Sequence, residues 1–325
     1  MPQVRQNGEY MAENSKSCIA KKTSIGGQAL IEGIMMRGPK KTAMAVRNTS
    51  GEIVLEKWDN ETADKKSTLI DKLKKIPVVR GVFNFATSMI TGYKALMKSA
   101  EIAGFEDEEE KKDSKGLMAV VGVVSAFLGV ALSVGLFIYL PTLIYDLLSK
   151  LLPFLVGKAF LKSLFEGIFK IVILVAYMAL VSRMKDIKRT FQYHGAEHKT
   201  IFCYEAGLEL TVENVKKQGR FHPRCGTSFL IVMVIVGVFI GLLIPVGLPS
   251  LLRSAIKLLF LPLTMGLGYE FIKFAGKHEN AVTRILSAPG LWMQRITVLE
   301  PTDDMIECAI AAVNEVIPDD GSDLM

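Results

Sequence analysis

The chain has 325 residues, of which 50% are hydrophobic and 22% charged, with a formal net charge of +6. A mean hydropathy of +0.32 is too high for an ordinary soluble domain of this size, and the charge content is too high for a chain lying wholly in lipid. The basic excess accompanies long apolar runs and no aromatic-interleaved RNA or DNA motif, so it is assigned to membrane topology and anionic lipid, and no nucleic acid is expected as a partner.

Residues 1–22 are polar and lack the apolar stretch of a secretory signal, so the N-terminus is expected to stay cytoplasmic while internal apolar helices direct insertion. Cys18, Cys203, Cys225 and Cys308 show no disulfide-scaffold spacing and would be reduced in that compartment. Gly26-Gly-Gln-Ala-Leu-Ile-Glu-Gly33 and Met35-Met-Arg-Gly-Pro39 set glycines beside charged groups, which suits close backbone approach to a ligand or another segment. Glu32 and Arg37 are therefore secondary site candidates, with a structural turn holding one ion pair as the alternative. Within residues 23–65, Ala43–Arg47 and Glu52–Lys57 read as a small β-hairpin closed through Asn48–Gly51.

Residues 66–105 read as an amphipathic helical region, with Val82, Phe85, Met89, Tyr93, Leu96 and Met97 at helical spacing opposite Lys94 and Lys98. It would lie in the membrane interface or cover the polar domain. Residues 106–115 form a charged linker. Residues 116–182 hold a first transmembrane helix pair, Gly116–Leu140 and Ile171–Val181, and residues 228–275 a second, Phe229–Leu248 and Leu258–Ala275. Residues 183–227 then form a cytoplasmic His/Cys segment rich in Lys and Arg, and residues 276–325 a cytoplasmic C-terminal region with a frayed tail from Pro318. Ser287-Ala-Pro-Gly-Leu-Trp292 combines a turn with an interfacial anchor. The expected fold is a mainly α membrane protein: about four transmembrane helices, a small N-terminal β-hairpin and a cytoplasmic α-rich polar domain.

Three of the four histidines fall in one polar stretch, as His194-Gly-Ala-Glu197-His198 and His222-Pro-Arg-Cys225-Gly226. On a helix, His194 and His198 project from one face at i and i+4, with Glu197 beside them, in the H-x-x-E-H order of inverted zinc proteases. Two surface histidines on a charged helix would give the same string. His222-x-x-Cys225 before a glycine resembles one knuckle of a zinc site, and a turn preceding a membrane helix is its structural alternative. Imidazole and thiolate ligands suit a divalent metal, Zn²⁺ first. His194, His198, His222 and Cys225 together would close a structural site. Three of them would leave an open catalytic position, which gives Glu197 the role of general base. Glu270, the acid nearest the interior of an expected span, and His278, just after that span, are secondary candidates. Few ionisable groups fall inside the expected spans, which argues against an ion pathway.

Gly26–Gly33, Met36–Pro39, Tyr193-His-Gly-Ala-Glu-His-Lys199, Phe221-His-Pro-Arg-Cys-Gly-Thr-Ser228 and Ala288-Pro-Gly-Leu-Trp292 together resemble the bacterial YqhQ-like family, over about Ser24 to Val316. The resemblance implies an uncharacterised membrane protein named as a metal-dependent enzyme, without an established substrate. The sequence-level reading is thus a multi-pass cell-membrane protein, both termini cytoplasmic, with a metal site serving hydrolysis of a peptide or lipid-linked substrate. The alternative is a non-enzymatic scaffold or assembly factor with a structural metal. Oligomeric state is not legible.

Overall fold

The computed structural model describes residues 22–60, 73, 76–105, 115–277 and 281–324. The charged linker, His278 and nearly all of the N-terminal stretch lie outside the described residues. Four strands come first: β1 (Gly26–Leu30), β2 (Gly33–Arg37), β3 (Lys41–Arg47) and β4 (Ile53–Asp59). They pair antiparallel in the order β1-β2-β3-β4. The expected hairpin is therefore the second half of a four-stranded meander. Its first half is hidden in the glycine-rich string because both faces of β2 are covered, so the apolar–polar alternation that marks a half-buried strand is missing.

The strand period of two divides these residues between two cores. Ile34, Met36, Ala43 and Ala45 face α5 (Lys185–Glu205) and α11 (Asp303–Asn314), meeting Tyr193, Ala196, Met305, Ile306 and Ala309. Leu30, Met35, Met44 and Val46 face α1 (Val79–Ile102) through Ala95 and Leu96. The C-terminal half of α1 therefore covers the sheet, and Ser99 Oγ accepts the Ile31 amide at 3.2 Å. Its N-terminal half instead crosses α9 (Leu261–Lys277), where Arg80 holds Glu270 in a two-pronged ion pair, at 2.6 and 2.5 Å.

The remaining helices form the apolar half: α2 (Lys115–Val134), a π-helical segment (Gly135–Tyr139), α3 (Leu140–Leu151), α4 (Ala159–Val181), α7 (Gly226–Leu243), α8 (Ser250–Leu259), α9 and α10 (Ala281–Thr297). A short α6 (Val212–Lys216) lies beside α5. Among the described residues two helices, Val120–Leu151 and Ala159–Val181, are long and apolar enough to cross a membrane, and α8 with α9 adds a third if that pair, bent by 49°, counts as one span. This corrects the four expected crossings. Phe229–Leu243 has the composition but is too short: the helix stops before Pro245, and its 15 apolar residues reach only about 22 Å of a roughly 30 Å hydrocarbon layer. Leu258–Ala275 is interrupted at Phe260.

Three further expectations change. The run from Ser287 is not a turn: Pro289 sits inside α10, while Trp292 is exposed as an anchor would be. The C-terminal tail is tied down as far as Leu324, since Thr23 bridges Leu324, and Asp323 is buried, accepting from Thr23 Oγ1 at 2.6 Å and the Tyr204 hydroxyl at 3.0 Å. The apolar half is also not poor in ionisable groups, because Asp146, Lys162, Glu166, Lys170, Arg253 and Lys257 converge within it. They come from three segments and so leave no local pattern.

Candidate metal centre

Helix α5 is separate from α4, broken at Ser182–Met184, and its His-Gly-Ala-Glu-His string is explained residue by residue. A Cβ on Gly195 would run into the Leu299 carbonyl, so the glycine lets the segment after α10 lie against α5. There the Leu299 amide donates to the Phe191 carbonyl at 2.9 Å. Ala196 enters the core against the sheet. Lys199, buried, donates to the Lys216 carbonyl at 2.9 Å and pairs with Glu300.

The two histidines are held alike. His194 Nδ1 lies 2.9 Å from the Thr297 carbonyl, and His198 Nδ1 lies 2.6 Å from the Arg220 carbonyl. A carbonyl oxygen only accepts, so each Nδ1 carries a proton, and the neutral form of each ring has its lone pair on Nε2. Ligand atoms of His194, His198 and Cys225 all lie within 4.8 Å of one another, and His194 Nε2 is 3.2 Å from Cys225 Sγ. The rings meet edge to face with centroids 4.5 Å apart. Backbone carbonyls that fix the far nitrogen are the usual outer partners of metal-ligating histidines.

Cys225 is buried at the residue preceding α7, its sulfur 3.3 Å from the Thr227 hydroxyl. The turn that delivers it is fastened by Gln294 of α10, wholly buried, which accepts the His222 amide and donates to the His222 carbonyl, both at 2.8 Å. His222 itself is outside the group. Its Nδ1 accepts the Arg224 amide at 3.3 Å and its Nε2 faces Glu205 at 3.7 Å. Burial pushes the imidazole down to about 4, Arg224 and His198 act in the same direction, and Glu205 opposes them. Glu205, also buried, accepts from Arg224 and, at 2.8 Å, from the Thr23 amide. Burial raises its carboxyl, but the bonds from His222, Thr23 and Arg224 together outweigh that and hold it below the ordinary value.

Glu197 is 6% exposed and turns toward β1, where its Oε1 accepts the Gly27 amide at 3.0 Å. Its Oε2 is buried without a hydrogen-bond partner among the described residues. Burial raises the carboxyl, opposed by nearby His194 and by the Gly27 amide. A Cβ on Gly27 would sit 3.0 Å from the Glu197 carboxyl carbon and 2.8 Å from the Met35 carbonyl oxygen, so this glycine is the close approach that its string suggested. The other candidates are elsewhere. Glu32 pairs with Arg189 and accepts the Tyr193 hydroxyl at 3.4 Å, Arg37 is exposed at the end of β2, and Glu270 is taken by Arg80. Sequence reasoning missed the anchors at Thr297, Arg220 and Gln294. Two of these are backbone groups, and Gln294 was visible only as a neighbour of Trp292.

Residues 76–319 match the model of a family described as a protein of unknown function, DUF1385. The chain belongs to that family. It is 36% identical over 306 residues to the uncharacterized protein YqhQ of Bacillus subtilis (strain 168), covering 90% of this chain and 92% of that protein. No solved structure matches. His194, His198 and Cys225 all fall inside the family's matched region, so the group could be compared directly in any member.

Proposed function

We propose that this is an integral membrane protein that holds a divalent metal, zinc by ligand chemistry, on His194, His198 and Cys225, and acts as a metal-dependent hydrolase. The observation that carries the reading is the convergence of three ligand atoms: each histidine spends Nδ1 on a backbone carbonyl, His194 Nε2 lies 3.2 Å from the Cys225 sulfur, and a ligand atom of His198 lies within 4.8 Å of both. Two neutral imidazoles and a thiolate are a borderline-soft set, and three ligands leave a fourth position open, as catalytic zinc requires. A divalent ion held there supplies Lewis acidity, lowering the pKa of water and polarising a substrate oxygen. Glu197 then serves as the general base: Oε1 is fixed by the Gly27 amide, and Oε2, with no partner, takes the proton. The substrate class is a peptide or a lipid-linked molecule presented at the membrane surface.

The polar half faces the cytoplasm in this reading, supported by the Lys and Arg excess of residues 183–227. The Thr23–Leu324 bridge supports placing both chain ends on the same side. A second reading, a scaffold whose metal is structural, has one observation in its favour. The ligands and their anchors come from α5, the turn before α7 and the end of α10, so an ion would tie three distant segments together. Two measurements separate the readings. Full-length protein purified without chelators should hold one zinc per chain, and its absence in folded protein ends both. Glu197→Gln should stay folded and metal-loaded but fail to complement a deletion strain, whereas full complementation removes the enzyme and leaves the scaffold.

A further inference from the structure

The apolar half buries a second polar cluster that the metal centre does not use. Lys162 pairs with Asp146, whose other oxygen accepts from Ser250 Oγ at 2.6 Å. Lys257, its side chain 9% exposed, lies 2.7 Å from Glu166 and donates to Thr142 at 2.6 Å. Arg253, 0% exposed, sits 3.7 Å from Glu166 and donates to the carbonyls of Gly241, Ile244 and Pro245 at the end of α7. Lys170, one turn beyond Glu166 on α4, makes no hydrogen bond or ion pair among the described residues. Among the described residues, four basic side chains thus face two carboxylates, in a low-dielectric setting where an unpaired charge is costly.

That excess opens onto a cavity. A space of about 790 Å³, within the roughly 300–1,000 Å³ of small-ligand sites, is lined by Lys170 and Lys257 on an otherwise apolar wall that includes Phe137, Leu174 and Val234. Ser133 and Thr264 add hydroxyls to the wall. The π-helical segment forms part of the same wall. Pro141 has no amide to give the Phe137 carbonyl, the ladder slips to a Leu140-to-Gly135 bond, and such bulges concentrate at functional sites. One face of the cavity is α2, whose Val130 both lines the space and is exposed on an apolar helix long enough to cross a membrane.

We propose that this cavity binds a phosphate-bearing acidic lipid, with its headgroup on Lys170 and Lys257 and its chains along the apolar wall of α2 and α7. The two ammonium groups supply the charge that a phosphate complements, and the wall supplies the reason for a tail. The site is distinct from the metal centre. Arg253 marks the end of α7 near Gly241, sixteen residues or about 24 Å from Cys225.

The test uses full-length protein reconstituted with phosphatidylcholine, with or without phosphatidylglycerol, then stripped stepwise and weighed intact by native mass spectrometry. The wild type should retain phosphatidylglycerol over phosphatidylcholine. Lys170→Gln and Lys257→Gln should each lower that retention about tenfold, the effect of losing one charged hydrogen bond, while exposed Lys150→Gln should not. Equal retention of the two lipids, or lysine variants that retain phosphatidylglycerol as the wild type does, overturns the proposal. So does displacement of the lipid by inorganic phosphate at the concentration at which lysophosphatidic acid displaces it, because the site would then read a free anion and not a tail. These lipid comparisons on the wild type decide the matter alone if a variant fails to fold.

Discussion

The metal group and the lysine cluster both bury polar side chains, and they are built to opposite specifications. Around His194 and His198 the outer contacts are backbone carbonyls, each holding an Nδ1 proton, and the ligand atoms of both histidines and Cys225 lie within 4.8 Å of one another. Around Lys170 and Lys257 the helices gather ammonium groups in excess of carboxylates. One site gathers groups that could hold a cation and the other gathers basic groups. Burial alone therefore does not say what a polar cluster is for; the charge that its groups complement does.

The sharpest way to break that contrast is at the sulfur. Cys225→Ala should abolish stoichiometric zinc, read by elemental analysis of folded protein, whereas His222→Ala should keep it, because that ring is engaged with Arg224 and Glu205. Loss of zinc in both variants would return His222 to the ligand set. Next in size is the support for the turn beside it. Glu205→Gln breaks a buried ion pair with Arg224 and should cost about 3–5 kcal/mol in thermal unfolding, without changing the ligand atoms.

At the other cluster the effect should reverse. Lys170→Met removes an unpaired cation, so the delipidated variant should melt no lower than the wild type, with a gain on the order of 1 kcal/mol, while its stabilisation by phosphatidylglycerol disappears. A marked loss of stability without lipid would mean that Lys170 already has its partner. At the metal group, Gly27→Ala should cost about 1–3 kcal/mol and shift the Glu197 carboxylate, lowering activity with zinc content intact. Acid gives the smallest expected effect. The Glu205 carboxyl is held below its ordinary value in the folded chain, so its contribution is full above an unfolded pKa of about 4.5 and is lost as pH falls through the lower folded value. Melting temperature should drop as pH falls below about 4.5, and by less in Glu205→Gln.

Parts of this were legible in the chain. The i, i+4 spacing of His194 and His198 sets them on one face of any helix, and Cys225 before an apolar run was already a turn residue. The His-Gly-Ala-Glu-His string does not say which neighbours stand opposite, so His222 looked as good a ligand as Cys225. The strands β1 and β2 were obscured because covering both faces of β2 erased its alternation. Glu166 and Lys170 read as charges near the start of a span and Lys162 as a loop residue, since the partners of Lys162 and Glu166 on α3 and α8 lie far away in sequence.

The sequence by itself determined the division into apolar and polar halves, the helical face that carries both histidines and the thiol poised to join them, because these depend on local periodicity and composition. Only the tertiary structure decided which side chains share a point. It brought the Thr297 and Arg220 carbonyls to the imidazoles, sent His222 to Glu205, and set Lys170 and Lys257 beside an apolar cavity. Those outcomes depend on contacts between segments tens to hundreds of residues apart, which packing settles and no local pattern encodes.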